Sequence, residues 1–289
     1  MFAITGITGN VGGEVGRALL AASQPVRAVV RDVRKGAAWA ERGCEVALAA
    51  IGDTAALAAA FKGAEGVFVL VPPNFDPAPD FPEARATAAT LRSALETARP
   101  ERCVYLSTIG AQAIQPNLLS QHTIIERALG ELSIPITFLR PGWFMDNSIW
   151  DVAPARQQGV IPSFLQPLDK PVPMVAAADI GRVAAELLQT TWDGRRVVEL
   201  EGPHRVTPDE IAATFADLLS HAVRAEAVPR ETWESLFKSQ GMKNPVPRIQ
   251  MLDGFNQGWI EFEHGEAGSR KGHVALGIVL QKLIESEGR

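Results

Sequence analysis

The stretch that most limits the fold of this chain is FAITGITGNVGGEVGRALL, residues 2–20. A short apolar run leads into a turn with glycines at 6, 9 and 12, and a helical stretch follows at once. A helix that starts directly after a buried strand aims free N–H groups and the positive end of its dipole at an anion. Gly6 permits the turn, Gly9 leaves room for the anion to approach, and Gly12 lets helix and strand pack closely. The arrangement suits a pyrophosphate. It carries weight because a strand precedes it, a helix follows and a second strand comes at 26–31.

The same alternation continues. Short β-branched runs at 2–5, 26–31, 45–49, 66–71, 102–107 and 136–140 are separated by helix-like segments at 11–22, 33–42, 54–62, 82–98 and 119–132. Buried strands joined by helices predict right-handed βαβ units in a parallel sheet covered on both faces. The expected fold class is α/β, a Rossmann-type doubly wound parallel sheet with a smaller, mainly helical C-terminal part. Ligands of such sheets bind beyond the carboxyl ends of the strands. The expected domains are 1–150, dinucleotide-binding, and 151–289, substrate-side, with 179–202 returning to the first domain's sheet. Residues 154–173 read as a Pro-rich loop. A helix is expected at 177–189 with Asp179 as its cap, and a strand and turn at 195–203. Another helix is expected at 206–221, where Thr207, Pro208 and Glu210 form a capping box. Further helical runs fall near 230–240, 245–259 and 273–286.

Composition narrows the function. Lys and Arg number 28 against 33 Asp and Glu, and the cations are scattered, so no nucleic-acid footprint is expected. No apolar run approaches the roughly 18 residues that span a bilayer. The start of the chain lacks a basic region before an apolar stretch, so no signal peptide is expected. Cys44 and Cys103 adjoin core strands and read as reduced thiols. Together these features predict a cytoplasmic location and no membrane partner. The histidines form no HExxH or Cys/His cluster, so no metal is expected.

The end of the second strand bears on the choice of dinucleotide. An NAD site places a carboxylate there for the ribose, whereas a 2′-phosphate needs cations. The sequence reads VVRDVRK, with Arg31 at the strand end, then Asp32, Arg34 and Lys35. Arg31 can stack on adenine and pair with phosphate through its planar fork. Asp32 can instead turn toward the ribose or cap the next helix. NADP(H) is favoured over NAD(H).

These segments, with LAAAFKGAEGVFVLVPP, VYLSTIGAQ, IPITFLRPGWFMDN and VVELEGPHRVTPDEIAATFADLL, resemble the NmrA-like family. It is an atypical branch of the short-chain dehydrogenases/reductases that includes quinone oxidoreductases, triphenylmethane reductases and redox-sensing regulators. The resemblance runs from residue 2 to about 220. It implies a phosphate loop of Gly6, Thr8, Gly9, Asn10, Val11 and Gly12, with Arg31 and Lys35 on the 2′-phosphate. Leu70, Val71, Pro72 and Pro73 would lie along the ribose and nicotinamide. Ser107, Thr108 and Ile109 would border the nicotinamide, and Pro141, Gly142, Trp143 and Phe144 its carboxamide. Asn147 matches an asparagine common in that segment. Ala50 departs from the pattern by standing where the family usually has an acidic residue near the adenine, and Asp53 is the substitute at hand.

The superfamily's Tyr-x-x-x-Lys acid is missing. The single tyrosine, Tyr105, lies within a core strand, with Ile109 four residues on. Counting back from SIPITFLR, His122 falls where related reductases carry a lysine. An imidazole there can donate a hydrogen bond or proton near neutral pH, and Glu126, one turn later, is the residue placed to orient it. Phe75, Trp143, Phe144, Trp150 and Phe164 are candidate acceptor-pocket residues, with packing between elements as the alternative for each. The leading expectation is hydride transfer from NADPH to a quinone or similar small conjugated electrophile. The alternative is a non-catalytic NADP(H) sensor acting on a partner protein.

Overall fold

The computed structural model describes residues 1–287. The chain alternates strand and helix through its first half: β1 Phe2–Thr5, α1 Asn10–Ala21, β2 Val26–Val30, α2 Val33–Ala40, β3 Glu45–Leu48, α3 Thr54–Phe61, β4 Gly66–Val69, α4 Pro82–Ala98, β5 Arg102–Leu106, α5 Ser120–Leu129 and β6 Ile136–Pro141. The later half is less regular: β7 Trp143–Phe144, a 3-10 turn Met145–Ser148, α6 Ile149–Gln158, β8 Val160–Ser163, β9 Met174–Val175, α7 Ala177–Leu188, β10 Arg195–Glu201, α8 Pro208–Leu219 and β11 Arg224–Ala227. After a 3-10 turn at Arg230–Thr232 come α9 Trp233–Ser239, α10 Val246–Gln257, α11 Gly265–Gly268, β12 Arg270–Lys271 and α12 Leu276–Glu287.

Eight strands form the main sheet in the order β12-β10-β6-β5-β4-β1-β2-β3. The pairs of β1 with β2 and β4, of β2 with β3, of β4 with β5, of β5 with β6 and of β10 with β12 are parallel. The order reverses between β1 and β4, the place where a doubly wound sheet opens a ligand crevice. The expected fold class is therefore the observed one.

The central strands β1, β4, β5 and β6 are buried on both faces, whereas β3 at the sheet edge is not. Phe2, Ala3 and Ile4 are all buried, as are Val67, Phe68 and Val69. Successive residues point to opposite faces. Ala3, Val29, Val67, Val69, Tyr105 and Phe138 join Leu57 and Phe61 of α3, Leu91 and Leu95 of α4 and Ile125 and Leu129 of α5 in one core cluster. On α7, Gly181 meets α1 without a side chain: a Cβ there would lie 2.3 Å from Glu14 Cβ and 3.0 Å from the Val11 carbonyl.

The chain divides into two compact units. The first holds 1–111, 119–140 and 180–198; the second holds 112–118, 141–179 and 199–289. The change at 140/141 comes ten residues before the boundary drawn from the sequence, and the chain passes between units several times.

Three local expectations need correction. Residues 154–173 are not simply a loop, because α6 runs to Gln158 with Pro154 inside it and β8 follows. Pro154 is the sixth residue of a ten-residue helix, so it interrupts one backbone bond while flanking turns persist. Asp179 lies inside α7 and its carboxylate accepts the N–H groups of His273 and Val274. The N–H of Ala177 is instead taken by Asp146 Oδ2. Thr207 caps α8 as expected, accepting from the Glu210 N–H at 3.0 Å, but the Glu210 carboxylate bonds His204 instead of closing the box.

Candidate functional site

The glycine turn opens α1. Gly6 adopts φ +64°, a left-handed conformation that favours glycine. At Gly12 a Cβ would sit 2.3 Å from the Gly6 carbonyl oxygen, so no larger residue fits while helix and turn stay this close. A Cβ at Gly9 would meet only that same oxygen, at 3.4 Å, and the space above the helix start is otherwise open. No side chain caps α1 and no acidic residue stands in its first turn, whereas Asp32 caps α2 and Asp53 caps α3. Thr8, Gly9 and Asn10 are exposed; Val11 and Gly12 are buried. The cradle and dipole fit a pyrophosphate.

Beside this turn Thr8, Val30, Arg31, Asp32 and Lys35 line a cleft of about 270 Å³. Asp32 is committed elsewhere. Its Oδ1 accepts the Arg34 backbone N–H at 2.9 Å, its Oδ2 accepts from the Arg34 guanidinium at 2.9 Å, and these bonds hold its pKa below the usual carboxylate value. Among the described residues Arg31 and Lys35 make no ion pair. Asp53, the substitute for a carboxylate at Ala50, is the α3 cap, accepting from the Ala56 N–H at 3.0 Å.

A chain of contacts then runs along the strand ends. Thr5 Oγ1 accepts the Leu70 N–H at 2.8 Å and ties the ends of β1 and β4 together. The Leu70 side chain lies where a Cβ on Gly6 would touch it, at 3.1 Å. Val71 is half-buried and Pro72 exposed. At the far end of this loop, Gln121 Nε2 of α5 donates to the Asn74 carbonyl at 2.9 Å. Phe75 is largely exposed.

On α5 stands the candidate catalytic group. His122 Nδ1 lies 2.8 Å from the Tyr105 hydroxyl. That hydroxyl is buried and has no other partner among the described residues. A buried O–H must donate, so Tyr105 donates to Nδ1 and the imidazole carries its proton on Nε2. Nε2 has no hydrogen-bond partner among the described residues and is not fully sealed from solvent. Burial lowers the His122 pKa to about 4, so the ring is neutral at pH 7. Burial, reinforced by the Glu126 carboxylate, pushes the Tyr105 phenol well above its ordinary value.

Glu126 does not orient His122. It is buried and accepts from Arg140 Nε at 2.9 Å, from Arg140 Nη2 at 2.6 Å and from Ser107 Oγ at 2.5 Å. Ser107 is thus held by α5, while Thr108 is half-buried beyond it. The sequence reading missed three contributors: Thr5, Arg140, and Tyr105 as a partner of His122. Tyr105 and His122 meet only because β5 and α5 pack together, and no short-range pattern carries that.

In the second unit Pro141 is buried, and the Gly142 N–H donates to the Leu200 carbonyl at 2.8 Å. The Trp143 ring meets Phe255 edge-on, with centroids 5.3 Å apart. Phe144 is half-buried, Asn147 is exposed, and Trp150 is 82% exposed. Phe164 packs on Trp233 and Phe237. Among the described residues no group of three or more His, Cys, Asp or Glu is placed to hold a metal, and no helix is long and apolar enough to cross a membrane.

A profile of the NmrA-like family matches residues 1–265. The chain belongs to the NmrA-like family. This NmrA-like chain is 29% identical over 244 residues to an NAD(P)H azoreductase of Xenophilus azovorans, covering 84% of this chain and 82% of the relative. It is 28% identical over 245 residues to quinone oxidoreductase 2 of Escherichia coli, with the same coverage. Among solved structures, an NADPH-dependent quinone oxidoreductase of Escherichia coli complexed with NADPH superposes with a TM-score of 0.76. That match is 24% identical and covers 99% of this chain and 95% of that one.

Two predictions follow from this geometry. Glu126→Gln leaves Arg140 without this counter-charge and lowers stability by about 3–5 kcal/mol, read as a shift in the urea unfolding midpoint. The second concerns acid. His122 takes up a proton near pH 4 when folded but near 6.5 when unfolded, so acidification between those values favours the unfolded chain. Asp151, raised by burial to about 6, works the other way and favours the folded chain as pH falls from 6 toward 4. Thermal scans from pH 7 to 4 therefore show a shallower loss of Tm for His122→Gln than for the parent, and a steeper loss for Asp151→Asn.

Proposed function

We propose that the chain is an NADP(H)-dependent oxidoreductase that reduces a quinone or similar small conjugated electrophile by hydride transfer. The observation that carries this reading is the cleft beside the glycine turn. Its carboxylate, Asp32, is engaged with Arg34, while Arg31 and Lys35 stand without an ion pair among the described residues. That charge pattern favours a 2′-phosphate over bare ribose hydroxyls. The reductase relatives support the reaction class.

When bound, NADPH supplies the hydride. Gly6, Thr8, Gly9, Asn10, Val11 and Gly12 would hold its pyrophosphate, and Leu70, Val71, Pro72, Ser107, Thr108, Pro141 and Trp143 would border the ribose and nicotinamide. Phe75, Trp143, Phe144, Asn147 and Trp150 are assigned to the acceptor. His122 presents a neutral Nε2–H to an acceptor oxygen, stabilising the negative charge that grows there, and water supplies the final proton of the hydroquinone. Tyr105 is a positioning residue that fixes the tautomer. A good hydride acceptor needs little more than binding and orientation.

NADPH oxidation with a panel of quinones tests the reading. Tight NADPH binding with no turnover on any acceptor would point instead to the sensor. In Arg31→Ala the KM for NADPH rises about tenfold or more while that for NADH changes little; an unchanged preference removes the 2′-phosphate assignment. His122→Ala lowers kcat about 10²-fold. In Tyr105→Phe the ¹⁵N shifts of the His122 ring move away from a pure Nε2–H tautomer, and kcat falls with KM for NADPH unchanged. Shifts identical to the parent's would show that Tyr105 fixes nothing.

A further inference from the structure

Within the second unit, two arginines flank one aromatic cluster, and among the described residues only one of them has a counter-charge. Phe164, Phe237 and Trp233 pack together, with the Phe164 ring 5.2 Å from Phe237 and 5.7 Å from Trp233. The Arg230 guanidinium lies 4.9 Å from the Trp233 ring and binds Asp253 through a double hydrogen bond, at 2.6 and 2.7 Å. The Arg248 guanidinium lies 4.2 Å from the Phe237 ring and 6.0 Å from Phe164. It makes no hydrogen bond or ion pair with any described residue, although it is half-buried and burial lowers its pKa. The carboxylates of its own and the neighbouring helix are taken: Asp253 by Arg230, and Glu234 by Lys238 at 2.6 Å.

An arginine drawn over an aromatic face by a cation–π contact can still offer its N–H donors to a planar anion. A desolvated cation without a partner is costly, and an incoming anion removes that cost. The donors also remain reachable, since no guanidinium nitrogen of Arg248 is both sealed from solvent and unpaired. On the same helix, seven residues later, Phe255 meets Trp143. Two turns of α-helix separate the two positions by about 10 Å.

We propose that Arg248 is the anion-binding residue of an acceptor subsite in the second unit, selecting aromatic or quinonoid molecules that bear a carboxylate or sulfonate. That the molecule is the hydride acceptor rests on the reductase reading above; that it binds at Arg248 does not. The bound anion completes the pairing that Asp253 gives Arg230, while Phe237 and Phe164 hold the guanidinium from behind.

The test compares 1,4-naphthoquinone with 1,4-naphthoquinone-2-sulfonate. Binding to the full chain saturated with NADP⁺ is measured by calorimetry, where no turnover occurs. The parent is expected to bind the sulfonate at least tenfold more tightly than the neutral quinone. Arg248→Gln is expected to reduce that ratio about tenfold, and Arg248→Lys, which keeps the charge but loses the fork, to reduce it less. Raising NaCl from about 0.05 to 0.5 M shrinks the parent's ratio, a readout that needs no variant. A parent with no preference, a preference that survives Arg248→Gln, or one indifferent to salt overturns the proposal. An Arg248-dependent preference without NADPH turnover leaves this site standing and defeats the reductase reading alone.

Discussion

One buried ion pair holds the first unit's candidate site in register. Glu126 comes from α5 and Arg140 from β6, and both are withdrawn from water. Removing two charges from water costs several kcal/mol each, so such a pair persists only with good geometry and satisfied lone pairs. Here Arg140 binds both carboxylate oxygens, and Ser107 donates a further bond. Three elements are thereby fixed at one level: β5 through Ser107, α5 through Glu126 and β6 through Arg140. His122 lies one turn before Glu126, so the pair also sets the height and rotation of the imidazole.

That placement yields acid–base chemistry unlike a Tyr-x-x-x-Lys pair. There a cation lowers a phenol's pKa so that it can release a proton. Here burial and a nearby carboxylate raise the phenol of Tyr105, so it keeps its proton and lends a hydrogen bond. Burial keeps His122 neutral at the other end of that bond. The result is a neutral imidazole whose Nδ1 is engaged by Tyr105, a group that in the proposed reaction would polarise an acceptor oxygen without committing a proton. Such a group suits acceptors that take hydride readily, which agrees with the proposed reaction class.

The sheet was legible in the sequence because its signals are local. The first six strands, and helices opened by Asp53, Pro82 or Thr207, fall within a residue or two of where the residue pattern puts them. The helix through Pro154 was not legible, because a proline reads as a break and only the packing of α6 overrides it. Side-chain partners were legible only at short range. Asp32 and Asp53 cap helices that start beside them. Asp179 instead binds N–H groups 94 and 95 residues away, Thr5 reaches 65 residues to Leu70, and Glu126 reaches Arg140 across α5 and β6. Periodicity told that Glu126 and His122 share a helix face; it held nothing about the strand that claims Glu126 first.

The same distinction governs which cations can serve a ligand. In a chain with more carboxylates than cations, most arginines near structure find a partner: Arg102 the Leu188 carbonyl, Arg140 Glu126, Arg205 Glu261, Arg230 Asp253. An arginine left without one is informative only where its surroundings are built. Arg31 borders a cleft at a helix N-terminus whose own carboxylate is occupied, and Arg248 is seated on two aromatic rings whose nearest carboxylates are spoken for. In both places the local helix chemistry has already consumed the anion that sequence proximity offers. What remains in each place is a positive group without an ion pair among the described residues, and an anion arriving from outside would supply the missing counter-charge.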